Sequence, residues 1–207
     1  AIAIVFIGSP SLETKYARVQ IARTVEGEQV KLSADEMLAN RMVQVHPGEL
    51  LKTMADDRLR TIIIDVRPEN EYNLFHIKGA VNIPLAEITA YIPALLEQQA
   101  LNTVYVVVSN DETAATEGWK ILVASSVPNV YILEGGVNNW IDTFTTESFG
   151  PDYVAVDGRD DQLRYAFTAA LGSAHAAAEP DPHLFEIPYT PKIQLQLKRA
   201  PGSGGCG

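Results

Sequence analysis

Three runs of consecutive apolar and β-branched residues dominate the hydropathy pattern: residues 61–66 (TIIIDV), 103–108 (TVYVVV) and 129–133 (NVYIL). Runs of this kind suit strands covered on both faces of a parallel sheet. Between the first two, residues 85–99 place Ile88, Ile92, Leu95 and Leu96 on one helical face, and residues 113–125 form a second helical stretch. The alternation of strand and helix predicts an α/β fold. Upstream, Pro47 suits a first helical turn and the apolar positions of residues 49–54 share a face, which predicts a helix over about 47–55. Signals before that are weaker: residues 18–23 alternate like a short strand, and Ser33-Ala34-Asp35-Glu36 resembles a helix start. In open α/β sheets ligands bind beyond the carboxyl ends of the strands, so the loops after Val66, Val108 and Leu133 are the places to seek chemistry.

The two ends of the chain read differently. Residues 1–8 (AIAIVFIG) start without Met and form an apolar run well short of the roughly 20 residues of a membrane span. Three readings stay open for them: a buried strand, the remnant of a processed signal segment, or the end of a transmembrane helix. After residue 144 an Ala-rich stretch, 160–179, predicts a helix ended by Pro180. Pro180, Pro182, Pro188 and Pro191 then punctuate an extended segment. Residues 192–198 alternate strictly, as a half-buried strand able to join a sheet edge of this chain or of a partner. A flexible Gly-rich tether, 200–207, carries the only cysteine, Cys206. The chain thus divides into an N-terminal extension (1–44, with a possible membrane-anchor remnant), a central domain (45–144) and a C-terminal extension (145–207).

Composition narrows the function. With 46% hydrophobic and 20% charged residues in 207, the chain is globular, and no collagen or solenoid period is present. A formal charge of −10 disfavours phosphate backbones and excludes nucleic acid as an expected partner. One cysteine allows no internal disulfide. His175 and His183 are too widely spaced to suggest a metal site, and no cofactor is expected.

Three motifs, in order, carry a resemblance. They are Asp65-Val66-Arg67-Pro68-Glu69-Asn70-Glu71-Tyr72, then His76-Ile77-Lys78-Gly79-Ala80-Val81-Asn82-Ile83-Pro84, then Leu133-Glu134-Gly135-Gly136-Val137-Asn138-Asn139-Trp140. Together they resemble the rhodanese homology domain of the sulfurtransferases, over about residues 45–144. The resemblance implies a parallel sheet with helices on both faces, and marks Asp65, Arg67, His76, Gly79, Gly135, Gly136 and Trp140 as structural signature positions. Taken alone, Arg67 can pair with Glu71 at helical spacing, and the glycines suit tight turns or close backbone approach. His76 reads as a residue that orders loops.

Active members of the family carry a Cys directly after the strand assigned to 103–108, in a six-residue loop that ends in Arg and cradles a persulfide with its N–H groups. Here the loop is Ser109-Asn110-Asp111-Glu112-Thr113-Ala114. Ser109 stands at the nucleophile position and Ala114 where many members have Arg. A serine hydroxyl cannot form a persulfide. Asp111 and Glu112 are expected either to repel an anionic sulfur donor or to begin the following helix, where acids favour the positive end of its dipole. Ser109 lacks the Gly-x-Ser-x-Gly setting of a hydrolase nucleophile.

The expected function is that of a catalytically inactive rhodanese-like domain, a pseudoenzyme acting as a binding or scaffold subunit. Its partners would be proteins of a larger, membrane-associated assembly in the cell envelope, facing a non-cytoplasmic compartment. The alternative is a sulfurtransferase or sulfur carrier in which Cys206 bears the persulfide. Cys206 is also open to attachment or ligation, or to no chemistry at all.

Overall fold

The β-branched runs build the centre of the molecule. The computed structural model describes residues 10–145, 152–153, 161–167 and 174–195. In chain order the elements are α1 (Leu12–Tyr16), β1 (Gln20–Val25), β2 (Glu28–Ser33), α2 (Ala34–Ala39), β3 (Gln44–Val45), α3 (Pro47–Met54), β4 (Arg60–Asp65) and α4 (Glu69–Leu74). They continue with β5 (Val81–Asn82), α5 (Ile88–Glu97), β6 (Thr103–Val108), α6 (Thr113–Ala124), β7 (Val130–Leu133) and α7 (Gly136–Phe144). Beyond these lie β8 (Asp152–Tyr153), β9 (Tyr165–Ala166) and a 3-10 turn, Ala176–Ala178.

Five strands form one parallel sheet in the order β3-β7-β6-β4-β5. Every residue of β6 and β7 is buried, which is why those two runs are continuously apolar. Helix α3 packs against α7 and α5 against α6, flanking the sheet. Asp65 is level with Val108 across β4 and β6, so the loops that follow them open side by side at the carboxyl edge. The α/β architecture read from the sequence is the one observed.

At the N-terminal end β1 and β2 form an antiparallel hairpin closed by Glu26 (φ 52°) and Gly27 (φ 87°), both left-handed as a two-residue turn requires. The helix start read at Ser33 is present as a reciprocal cap: the Glu36 carboxylate accepts from Ser33 N–H at 2.8 Å and the Ser33 hydroxyl accepts from Glu36 N–H at 3.3 Å.

The C-terminal expectations need correction. Of the helix expected over 160–179, residues 160 and 168–173 lie outside the described residues; among the described ones 161–164 are not helical, Tyr165 and Ala166 pair with β8, and Ala176–Ala178 make a short 3-10 turn. Asp161 makes long-range bonds described below. The anticipated strand at 192–198 joins no ladder over residues 192–195, and residues 196–198 lie outside the described residues. Its N–H groups go instead to side chains. Glu49 Oε1 accepts from Lys192 at 2.8 Å and from Ile193 at 2.7 Å, and Tyr131 Oη accepts from Gln194 at 2.8 Å. Residues 1–8 and Cys206 also lie outside the described residues. Among the described residues no helix is long and apolar enough to cross a membrane.

Candidate functional site

The loops after β4, β6 and β7 converge, as the parallel topology requires. The loop after β6 is tied to the start of α7 by Val137 N–H donating to Ser109 O (2.8 Å) and Asn138 N–H donating to Asn110 O (3.0 Å). This contact needs a glycine. A Cβ on Gly136, whose φ is +62°, would stand 2.1 Å from Asp111 O and 2.4 Å from Ser109 O.

From the β4 side, Asp65 and Arg67 form a buried ion pair at 2.6 Å, both side chains 1% exposed. Arg67 also donates to Phe75 O at 2.7 Å and to Asn110 Oδ1 at 3.1 Å, so the pair reaches the β6 loop directly. The pairing of Arg67 with Glu71 expected from spacing is not formed. Arg67 lies before α4 begins, and Glu71 accepts from Asn110 Nδ2 instead.

Ser109 is fully buried. Its hydroxyl donates to Asp111 O at 3.1 Å and accepts from Ala115 N–H at 3.1 Å. It holds the loop closed, and no histidine contacts it to serve as a base.

Two N–H groups of the loop are occupied by a carboxylate from farther along the chain. Asp161, about fifty residues downstream, accepts from Asp111 N–H with Oδ1 (2.8 Å) and from Ala114 N–H with Oδ2 (3.0 Å). Its own carbonyl accepts from Asn110 Nδ2 at 2.9 Å. Buried Asn138 secures the same segment, donating to Gln162 O (2.8 Å) and accepting from Arg164 N–H (2.8 Å). A carboxylate at the N-terminus of α6 is favourable in charge, since the Ala114 N–H of its first turn has no partner within the helix.

The two acids of the loop do not face that position. Asp111 Oδ1 accepts from Thr113 N–H at 2.6 Å, at the first residue of α6. Glu112 accepts from Gly135 N–H at 2.8 Å and from both terminal nitrogens of Arg41 at 2.7 and 3.1 Å. The hydrogen bond to Glu112 pushes the already high pKa of Arg41 further up. The carboxylate on the Asp111 and Ala114 amides is therefore Asp161.

The remaining signature residues are packed as structural parts. His76 stacks on Tyr72 with ring centroids 3.9 Å apart, and its Nδ1 lies 2.9 Å from Tyr72 O. Gly79 takes φ +85° and Gly135 φ +65°. Trp140 is fully buried and donates from Nε1 to Ala177 O at 2.7 Å. His175 accepts from Ala177 N–H, and His183 donates its own N–H to Asp181. Among the described residues no cluster of three or more His, Cys, Asp or Glu could hold a metal ion. Sequence reasoning missed Asp161 and Arg41, and quoted Asn138 within the third motif without giving it a role. Each acts across a gap in the chain that no local period marks.

The family model "Rhodanese-like domain" matches residues 46–143. A TBC domain-containing protein kinase-like protein of Gallus gallus is 29% identical over 100 residues, 45% of this chain and 11% of that protein. An HTH-type transcriptional regulator of Mycobacterium tuberculosis is 33% identical over 73 residues, 35% of this chain and 31% of that protein. The matches thus span under a third of either relative's length. Among solved structures, a human single-domain sulfurtransferase is similar at 20% identity and a TM-score of 0.44, over 50% of this chain and 98% of that one.

Proposed function

We propose, from the premise that residues 46–143 are a rhodanese-like domain, that this protein performs no sulfur transfer and serves as a binding or scaffold subunit in a larger protein assembly. The observation that carries the reading is the Asp161 carboxylate on the amides of Asp111 and Ala114. Those amides belong to the loop that in active members receives the persulfide. Here they receive a fixed negative charge, the position of the sulfur-bearing residue holds buried Ser109, and the position of the closing arginine holds Ala114. Sulfur transfer needs a thiolate and a place for an anion beside it. Both needs go unmet, while the Asp65–Arg67 pair and the glycine-dependent loop contact keep the scaffold rigid.

The wild-type chain is expected to show no thiosulfate-to-cyanide transfer. Ser109→Cys with Ala114→Arg should stay near background while Asp161 keeps its place. Adding Asp161→Ala should raise turnover by about tenfold or more, the factor that one charged contact of about 1.4 kcal/mol is worth. Wild-type turnover that disappears in Cys206→Ser would overturn the reading in favour of sulfur carriage by the tail thiol. Full turnover by the double variant alone would show that Asp161 does not block the loop. The scaffold half is checked by the native mass of the protein after release from its source with mild detergent: elution with a larger complex supports it, and a free monomer overturns it.

A further inference from the structure

A cavity of about 600 Å³ lies at the other end of α6 from the Ser109 loop, a helix length of roughly 18 Å away. It is walled by β1, by the turn after α6 and by the start of β7. Three of the chain's sixteen Lys and Arg residues line it, namely Lys15, Arg18 and Arg23, and among the described residues no carboxylate does. In a chain of net charge −10 this is a local reversal of sign. Lys15 and Arg18 are exposed, and their side chains form no ion pair among the described residues.

Arg23 is 4% exposed. It donates to Tyr131 Oη, Met42 O and Lys192 O, all neutral acceptors, and its Nε–H has no acceptor among the described residues. A buried cation without a counter-ion, and a buried donor without a partner, both favour an incoming anion. Glu49, the buried carboxylate whose charge reaches neighbouring Tyr131, does not line the cavity and spends Oε1 on the backbone of residues 192 and 193. The cations are not needed to cap α6. Val127 N–H donates to Leu122 O and Ser126 N–H to Val123 O, so the helix end is satisfied within the backbone. The rest of the wall is mixed: Ile21, Met37, Val43, Val123 and Val127 supply an apolar side, and Gln20, Ser125 and Ser126 a polar one. A concave site that joins apolar wall to convergent polar groups suits a small molecule with both kinds of surface, and the volume lies in the range of such sites.

We infer that this cavity binds a small amphipathic anion, its phosphate or carboxylate head held by Lys15, Arg18 and Arg23 and its apolar body against Ile21, Met37 and Val123. The site is independent of the Ser109 loop and of whether that loop is active.

Calorimetric titration of the full chain at low salt with octyl phosphate, octanoate, octylammonium and inorganic phosphate tests it. The better of the two amphipathic anions should bind at least tenfold more tightly than octylammonium or inorganic phosphate, and whichever it is identifies the head group. Lys15→Glu with Arg18→Glu should lower that affinity at least tenfold with an unchanged thermal midpoint, since both side chains are exposed. Equal affinity for all four probes, no binding of either amphipathic anion, or affinity that survives the double charge reversal would overturn the proposal.

Discussion

Replacing Gly136 by Ala is expected to lower stability by about 3 kcal/mol or more, with the cost coming from two sources. The left-handed φ of +62° disfavours any side chain. The larger source is steric. A Cβ would lie 2.1 Å from Asp111 O, 2.4 Å from Ser109 O and 2.7 Å from the carbonyl carbon of Asn110. All three are backbone atoms, so no rotamer change relieves the overlap. Moving the loop away would stretch the bonds from Val137 N–H to Ser109 O and from Asn138 N–H to Asn110 O. Gly79 is the control: its φ is +85° but nothing lies within 4 Å of a Cβ, so Gly79→Ala should cost only about 1–2 kcal/mol. Urea unfolding of both variants decides the matter, and equal losses would mean that backbone conformation, not close approach, makes Gly136 necessary.

Arg67→Met should cost about 3–5 kcal/mol, because it leaves Asp65 as an unpaired charge in the interior. The measurement that isolates the pair is a double-mutant cycle with Asp65→Leu. The double variant is expected to be more stable than the sum of the single losses by about 2 kcal/mol or more, since removing both charges together removes the stranded one. It should still fall short of wild type, because Phe75 O and Asn110 Oδ1 also lose their donor. Additive losses would show that the two side chains are not coupled. Both are 1% exposed, so the coupling should change little between low and high salt.

The parts of the fold legible in the sequence are those whose signal is local and long. The runs that became β4, β6 and β7 could be read because strands buried on both faces must be apolar throughout, and α5 and α6 because their patterns recur over several turns. Strands β3 and β5 have two residues each, too few for any period to register. The N-terminal hairpin was hidden by its turn, since Glu26-Gly27 adopts the conformation that Asn-Gly or Asp-Gly would have announced. Over the described part of the Ala-rich stretch local propensity did not decide the outcome: residues 161–164 are not helical, and Asp161 bonds to the amides of Asp111 and Ala114. At the site, residues 109–114 form one contiguous loop and could be read directly. Its occupant could not, because a carboxylate fifty residues away carries no mark of the amides it will meet.

The side-chain amide of Gln194 pairs with both the N–H and the C=O of Thr24, at 2.9 and 3.1 Å, while Arg23 holds Lys192 O at 2.6 Å. These bonds join positions 169 and 170 residues apart and turn an open chain into a nearly closed ring. Closing so long a loop costs only about 0.6 kcal/mol more than closing one half its length, so the great separation itself adds little to the cost of the clasp. Its effect falls on kinetics and cooperativity. Contacts of such separation slow folding, and neither the β1–β2 hairpin nor residues 192–194 can leave without releasing the other. These two segments are therefore expected to unfold with the sheet as one unit.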